Sequence, residues 1–320
     1  MEMSGMTKSE AINGEKVAFD HQIQERIDNG HVPDLRHKER NEWFYNNVWR
    51  DPELVKISFL ENIEFLKKYL KPGSKILEIG CGPGHNSLEL ARAGHHVTGI
   101  DLSPKCIELA KKTLAANAYR DGFGSLTYHC GNFLETQVPG GPFDAVFFYG
   151  ALSHFPDIDS TLARVCDLLV PAGQILIYDT GIDVYTENDA AFLYAIKAIL
   201  AATGHYYERQ ELPKTETALK EKLDETLADL QYVDDDGENV QSPNDNSQTY
   251  STMLPALAKK FDKVIFEAES CFFRNMIGGI RFEKREDEHK MASFIRLLDA
   301  FLTNKKILST AYFYYVGKKR

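Results

Sequence analysis

The stretch ILEIGCGPGH, Ile76 to His85, places three glycines at alternate positions directly behind an apolar run that contains one acid. A glycine in a strand or helix interior is destabilising by about 0.5 to 1 kcal/mol relative to alanine, so three in one short stretch need a local reason. The run before them, Lys75 to Ile79, reads as a buried strand, and a helical pattern opens just behind. A bare backbone between strand and helix lets a ligand approach closely and meet the free N-H groups of the helix start.

Outward from this loop, short β-like runs alternate with helical patterns. The runs are Lys75 to Ile79, His96 to Asp101, Leu126 to Asn132, Phe143 to Tyr149 and Gln174 to Asp179. Between them lie the helical patterns Ser87 to Ala93, Pro104 to Ala118 with Ser103 as its cap, and Ile158 to Val170. Such alternation predicts βαβ units: an α/β, doubly wound, mostly parallel sheet with any ligand along the C-terminal ends of its strands.

The flanks carry different patterns. Residues up to about Lys16 are polar and expected to fray. The segment through Arg50 then turns aromatic, and Asp51-Pro52 opens a helix with Val55, Phe59, Ile63, Leu66 and Leu70 on one face. After Thr180 the rhythm breaks into helical patterns at Glu187 to Ala202, Pro213 to Tyr232 and Tyr250 to Phe261, with an acidic stretch, Asp234 to Asn246, read as a solvated linker. Two further β-like runs, Lys263 to Ala268 and Thr310 to Gly317, flank a helical pattern from Glu286 to Phe301. The expected parts are residues 1–50 as tail and aromatic lid, 51–180 as ligand-binding core, 181–261 as a helical cap insertion and 262–320 as the end of the core.

Composition bounds the function. The 320 residues with 43% hydrophobic side chains suffice for one core fold with insertions. A formal net charge of −10, with no basic stripe interleaved with aromatics, argues against nucleic acid as a partner. No run has the length of a membrane span or the apolar core of a secretion signal, so no membrane partner is expected. The five cysteines stand singly, without metal-ligand or disulfide spacing, which fits a cytoplasmic protein and no metal.

The loop Glu78-x-Gly80-x-Gly82-x-Gly84 departs from the dinucleotide fingerprint GxGxxG and resembles motif I of the class I S-adenosylmethionine (SAM) dependent methyltransferases. Further segments are similar to that family in order: GIDLSP (Gly99 to Pro104), GNF (Gly131 to Phe133), FDAVFFYGALSHF (Phe143 to Phe155) and LLVPAGQILI (Leu168 to Ile177). The resemblance implies a Rossmann-like sheet of seven strands, the last antiparallel and inserted, with Tyr312 to Val316 as its candidate. It also implies SAM as cofactor, S-adenosylhomocysteine as product, and methyl transfer to an oxygen or nitrogen atom of a small molecule. Asn132 stands where the family usually has an acid, and Ala172 where it usually has a second glycine.

By that resemblance Glu78, Gly80, Gly82, Gly84, Asp101, Leu102, Asn132, Phe133 and Tyr149 are the cofactor-binding candidates. Chemistry agrees for Asp101: a carboxylate only accepts, and a ribose diol offers two donors, although the same acid would suit a nicotinamide dinucleotide. His154, behind the fourth strand, is the candidate catalytic base, against the alternative of a packing histidine in the turn. Tyr45, Trp49, Asp179 and Tyr185 are the candidates for the substrate pocket. The rival readings are a SAM-binding regulatory protein without turnover, a non-methyl group transfer using SAM, and a nicotinamide-dependent oxidoreductase.

Overall fold

The computed structural model describes residues 8–234 and 237–320. Helix α1 (Lys8–Asp28) comes first, followed by two single 3-10 turns and the short helices α2 (Pro52–Val55) and α3 (Glu61–Lys67), joined by a π turn. The sheet is built from β1 (Lys75–Ile79), β2 (His96–Asp101), β3 (Ser125–Cys130), β4 (Phe143–Tyr149) and β5 (Leu169–Thr180). Helices α4 (His85–Arg92), α5 (Pro104–Ala115) and α6 (Ile158–Leu168) lie between these strands. Beyond them come α7 (Glu187–Ala202), α8 (Glu216–Gln231), α9 (Tyr250–Lys260), β6 (Phe261–Ala268), α10 (Arg285–Asn304) and β7 (Tyr312–Lys319).

The seven strands run in the order β3-β2-β1-β4-β5-β7-β6. β1 to β5 pair in parallel, and β7 is antiparallel to both β5 and β6, between which it is wedged. This is the expected Rossmann-like, mostly parallel seven-stranded sheet. Neighbouring residues of one strand bury on opposite faces. Ile76, Phe147 and Leu176 join α3 residues such as Ile63 and Leu66 and α10 residues such as Ile295 on one face. Leu77, Phe148 and Ile177 join α6 residues Leu162 and Val165 and α9 residues Met253 and Leu257 on the other. Both sides of the sheet are therefore covered, which explains the near-continuous apolar strands.

Ala172 lies inside the long β5 at φ 59°, the left-handed region where an L-residue costs roughly 1 to 2 kcal/mol. The chain thus holds a left-handed turn there without a glycine.

Two expectations need correction. The segment from Lys8 to Lys16 is helical, and α1 packs against α5 through Ile23, Ile27, Cys106 and Leu109. The acidic stretch is no solvated linker in its second half: Ser242, Asn244 and Asp245 are buried. Asp235 and Asp236 of that stretch, and residues 1–7 of the tail, lie outside the described residues.

Candidate functional site

A cavity of about 530 Å³ opens where β1, β2 and β4 end. Its floor includes Gly80 to Pro83, Asp101 and Leu102, and α1 roofs it with Ile12, Glu15, Phe19, Gln22, Ile23 and Arg26. Trp49, Phe59, Tyr149 and Tyr232 add aromatic walls. The size and mostly apolar lining suit a small-molecule ligand.

The glycine loop owes its composition to two demands. Gly80, Gly82 and Gly84 all have positive φ, at 68°, 52° and 82°. At Gly84 a β-carbon would lie 2.3 Å from the Tyr128 hydroxyl and 2.8 Å from Ala110, so this glycine serves packing against β3 and α5. At Gly82 nothing stands within 4 Å of the same point, which leaves its backbone open to the cavity. Gly80 and Gly82 line the cavity; Gly84 does not.

Asp101 lies beneath the loop. The Gly82 N-H donates to one carboxylate oxygen at 2.7 Å and the Ser103 N-H to the other at 2.8 Å. Burial pushes its pKa up, against the pull of those two N-H groups. The Ser103 hydroxyl donates to Asp20 of α1 at 2.6 Å and so ties the roof to the end of β2. Leu102, Asn132 and Phe133 line the cavity beside Asp101. The Asn132 side-chain oxygen accepts from the Leu134 N-H at 3.1 Å, so it shapes its own turn while facing the cavity.

His154 lines the cavity, but its geometry is that of a clamp. Its Nδ1 lies 2.9 Å from Glu15 of α1 and its Nε2 3.6 Å from Asp245. Glu15 also accepts from the Ser242 hydroxyl and the Asn244 N-H, each at 2.9 Å. Burial alone would lower the imidazole pKa, but the Glu15 hydrogen bond and the charges of Asp245, Glu15 and Asp179 outweigh it and hold the pKa above its ordinary value. With both ring nitrogens facing carboxylates of the fold, His154 has the surroundings of the packing alternative as well as the cavity position expected of a base.

Among the remaining candidates, Trp49 and Tyr149 line the cavity. Trp49 stands edge-on to His85 at 5.3 Å and tilted on Phe59 at 5.2 Å. The Tyr149 hydroxyl accepts from Asn62 at 2.9 Å and donates to the Ser58 carbonyl at 3.2 Å, and burial pushes its pKa up to about 12. Glu78, Tyr45, Asp179 and Tyr185 take no part in the cavity wall. Glu78 is buried below the loop, where Ser87 and Asn86 of α4 donate to it, and burial pushes its pKa up to about 8. Tyr45 is 56% exposed and rests on Tyr207. Asp179 is buried and accepts from the N-H groups of Leu152 and Ser153, at 2.8 and 3.2 Å, which fixes the turn carrying His154. The Tyr185 hydroxyl is spent on the Cys271 carbonyl at 3.0 Å.

The structure adds residues that pattern reading passed over. Arg26 faces the cavity from α1, its guanidinium 5.9 Å from the Phe44 ring centre, with no hydrogen bond or ion pair among the described residues. Burial lowers its pKa. His85 also lines the cavity with both ring nitrogens buried and unpartnered. Burial, and secondly the Arg26 charge, push its pKa down to about 3, so the ring is neutral. The spacing of Ile12, Phe19, Ile23 and Ile27 is the signal that would have disclosed α1 as a helix with one buried face.

A family model described as a methyltransferase domain matches residues 76–173, the segment that carries the floor of this cavity. Those residues form a methyltransferase-type domain. The ubiquinone biosynthesis O-methyltransferase of Aromatoleum aromaticum is 35% identical over 125 residues, covering 39% of this chain and 49% of that protein. The sterol 24-C-methyltransferase of Yarrowia lipolytica is 26% identical over 171 residues, covering 53% of this chain and 43% of that protein. The chain thus spans about half the length of these curated relatives. The solved structure of the cyclase SpnF is alike in fold, with a TM-score of 0.51 at 13% identity over 96% of this chain and 94% of that one. Outside the methyltransferase domain lie α1 and the residues Tyr232, Gln241 and Asn244, which complete the cavity wall.

Proposed function

We propose that this chain transfers the methyl group of SAM to an oxygen or nitrogen atom of a small molecule. The observation that carries the reading is the set of complementary groups gathered in one cavity. Asp101 uses two of its roughly four acceptor sites on backbone N-H groups and keeps others for a ribose diol. The open backbone at Gly82 and the unpaired cation of Arg26 suit the amino-acid end of the cofactor, with Arg26 opposite its carboxylate. Leu102, Asn132 and Phe133 suit the adenine, where an amide both donates and accepts.

The cofactor supplies a methyl group on a sulfonium, whose transfer is an in-line displacement. The work of this chain is alignment and exclusion of water. Helix α1 covers the cavity, Trp49 and Tyr149 bring to its wall aromatic rings of the kind that favour a cation, and His154 pins α1 down through Glu15. The lid in this reading is α1 together with the segment around Ser242 to Asp245, and the aromatic run supplies Trp49 to the wall. The core is residues 51–180, with 181–261 as cap and 262–320 closing the sheet. The described cysteines are free, in keeping with the cytoplasm.

Calorimetry against SAM, S-adenosylhomocysteine and a nicotinamide dinucleotide tests the ligand, and release of S-adenosylhomocysteine in the presence of small-molecule pools tests turnover. Tight dinucleotide binding with no response to SAM would end the reading; SAM binding without turnover would favour a regulatory protein.

A further inference from the structure

We propose that the outer face of α10 is a docking surface for an anionic lipid bilayer. The helix packs Ala292, Ile295 and Leu302 into the core. On its other side Phe294, Leu297 and Phe301 are 56%, 68% and 54% exposed. Their spacing of three and four residues sets them in one stripe, and Ile307, 57% exposed, continues it beyond the helix end. Single exposed apolar residues are ordinary on a protein surface, whereas a continuous stripe marks an interaction site.

The rim of the stripe selects the partner. Between Lys290 and Ile307 the other exposed positions carry Lys290, Lys305 and Lys306 or small neutral side chains, and no acid. The acid within that span, Asp299, is buried and accepts from the backbone N-H groups of Cys271, Phe272 and Phe273. One turn earlier Asp287 pairs with Lys290 at 2.9 Å. The Lys305 ammonium lies 5.9 Å from the Phe301 ring centre, so the cation borders the apolar surface directly. On a chain with 47 acidic and 37 basic side chains, a strip with no exposed acid of its own stands apart from the average surface, and Glu61, which reaches it from α3, is paired with Arg296.

A second copy of the chain is a poor occupant. Antiparallel contact centred on Leu297 sets Lys290 against Lys305 of the other copy, and parallel contact sets each lysine against its own equivalent. Like charges thus meet in either arrangement, at a cost to association. A bilayer rich in acidic phospholipids answers both features, since its acyl boundary takes phenylalanine and leucine while its phosphates attract flanking lysines. Such a contact needs no span, and among the described residues no helix is long and apolar enough to cross a membrane.

Co-sedimentation of the full chain with vesicles tests this. The chain is expected to bind vesicles of phosphatidylcholine mixed with phosphatidylglycerol, less so in high salt, and to leave pure phosphatidylcholine vesicles largely alone. Lys305→Glu combined with Lys306→Glu should weaken the partition by about tenfold or more. Leu297→Asp should do the same with an unchanged melting temperature, because the side chain it removes is exposed. Failure of the unaltered chain to bind the acidic vesicles, or equal binding by Leu297→Asp, would overturn the proposal. So would a dimer in sedimentation velocity that Leu297→Asp splits, since the stripe would then be a self-interface.

Discussion

Glu15 of α1 and Nδ1 of His154, 139 positions apart in the chain, lie 2.9 Å apart and fasten the roof of the cavity to the turn after β4. Breaking this pair from one side leaves a charged group with little solvent in reach. His154→Ala is expected to destabilise the fold by about 1 to 3 kcal/mol and to speed hydrogen exchange along α1. Peptide-level exchange mass spectrometry reads it directly. A drop in turnover with unchanged protection of α1 would favour His154 as a base.

The same pair sets a pH dependence. The imidazole pKa is raised in the folded protein, so its contribution is fully present below the ordinary histidine value of about 6.5 and is lost as pH rises through the raised value. Protection of α1 should therefore fall as pH rises beyond the ordinary histidine value in the unaltered protein. In Glu15→Gln that decline should start at lower pH.

Arg26 supplies a test with an internal control. Arg26→Met should weaken S-adenosylhomocysteine binding by roughly tenfold or more, the range for a lost hydrogen bond to a charged group. Binding of methylthioadenosine, which lacks the carboxylate, should be little changed. Equal loss for both ligands in calorimetry would mean that Arg26 shapes the roof and does not grip the ligand.

Asp101→Asn keeps the size of the side chain but removes the charge and one acceptor. Cofactor affinity should fall by about 1 to 3 kcal/mol, the cost of losing charge-assisted bonds. The melting temperature should also drop, because the Gly82 and Ser103 N-H groups depend on both oxygens.

Glu78, by contrast, predicts a stability effect that survives without any ligand. Its pKa is raised to about 8, so the folded state holds a proton that the unfolded state releases near pH 4 to 5. Stability should decline as pH rises from about 5 to 8 on this account. Glu78→Gln should flatten that part of a denaturation series.

The sheet was legible because its signals are local: β1, β2 and β4 begin and end where the alternating patterns do, and Asp51 with Pro52 opens α2 as its cap chemistry requires. The parts of the site that rest on a short motif, Gly80, Gly82, Asp101 and Asn132, were legible for the same reason and do face the cavity. What could not be read is long-range. Glu15 meets Ser242 across 227 positions, and nothing in either neighbourhood announces the other. An acidic, polar segment looks like solvated chain until a buried imidazole and a helix side chain claim its donors and acceptors. Asp179 and Tyr185 follow the same lesson: polar groups at a strand's C-terminal end can be consumed by a neighbouring turn, and only the fold decides which.

Strand β6 finds its one sheet neighbour in β7, which is made some forty residues later in synthesis. Until Tyr312–Lys319 emerges and slides between them, β5 and β6 each present a raw edge, and α9, which leads straight into β6, has no settled place against the sheet. A chain truncated before Tyr312 would therefore be sticky as well as inactive, and quality control would meet it as a substrate for chaperones or proteases.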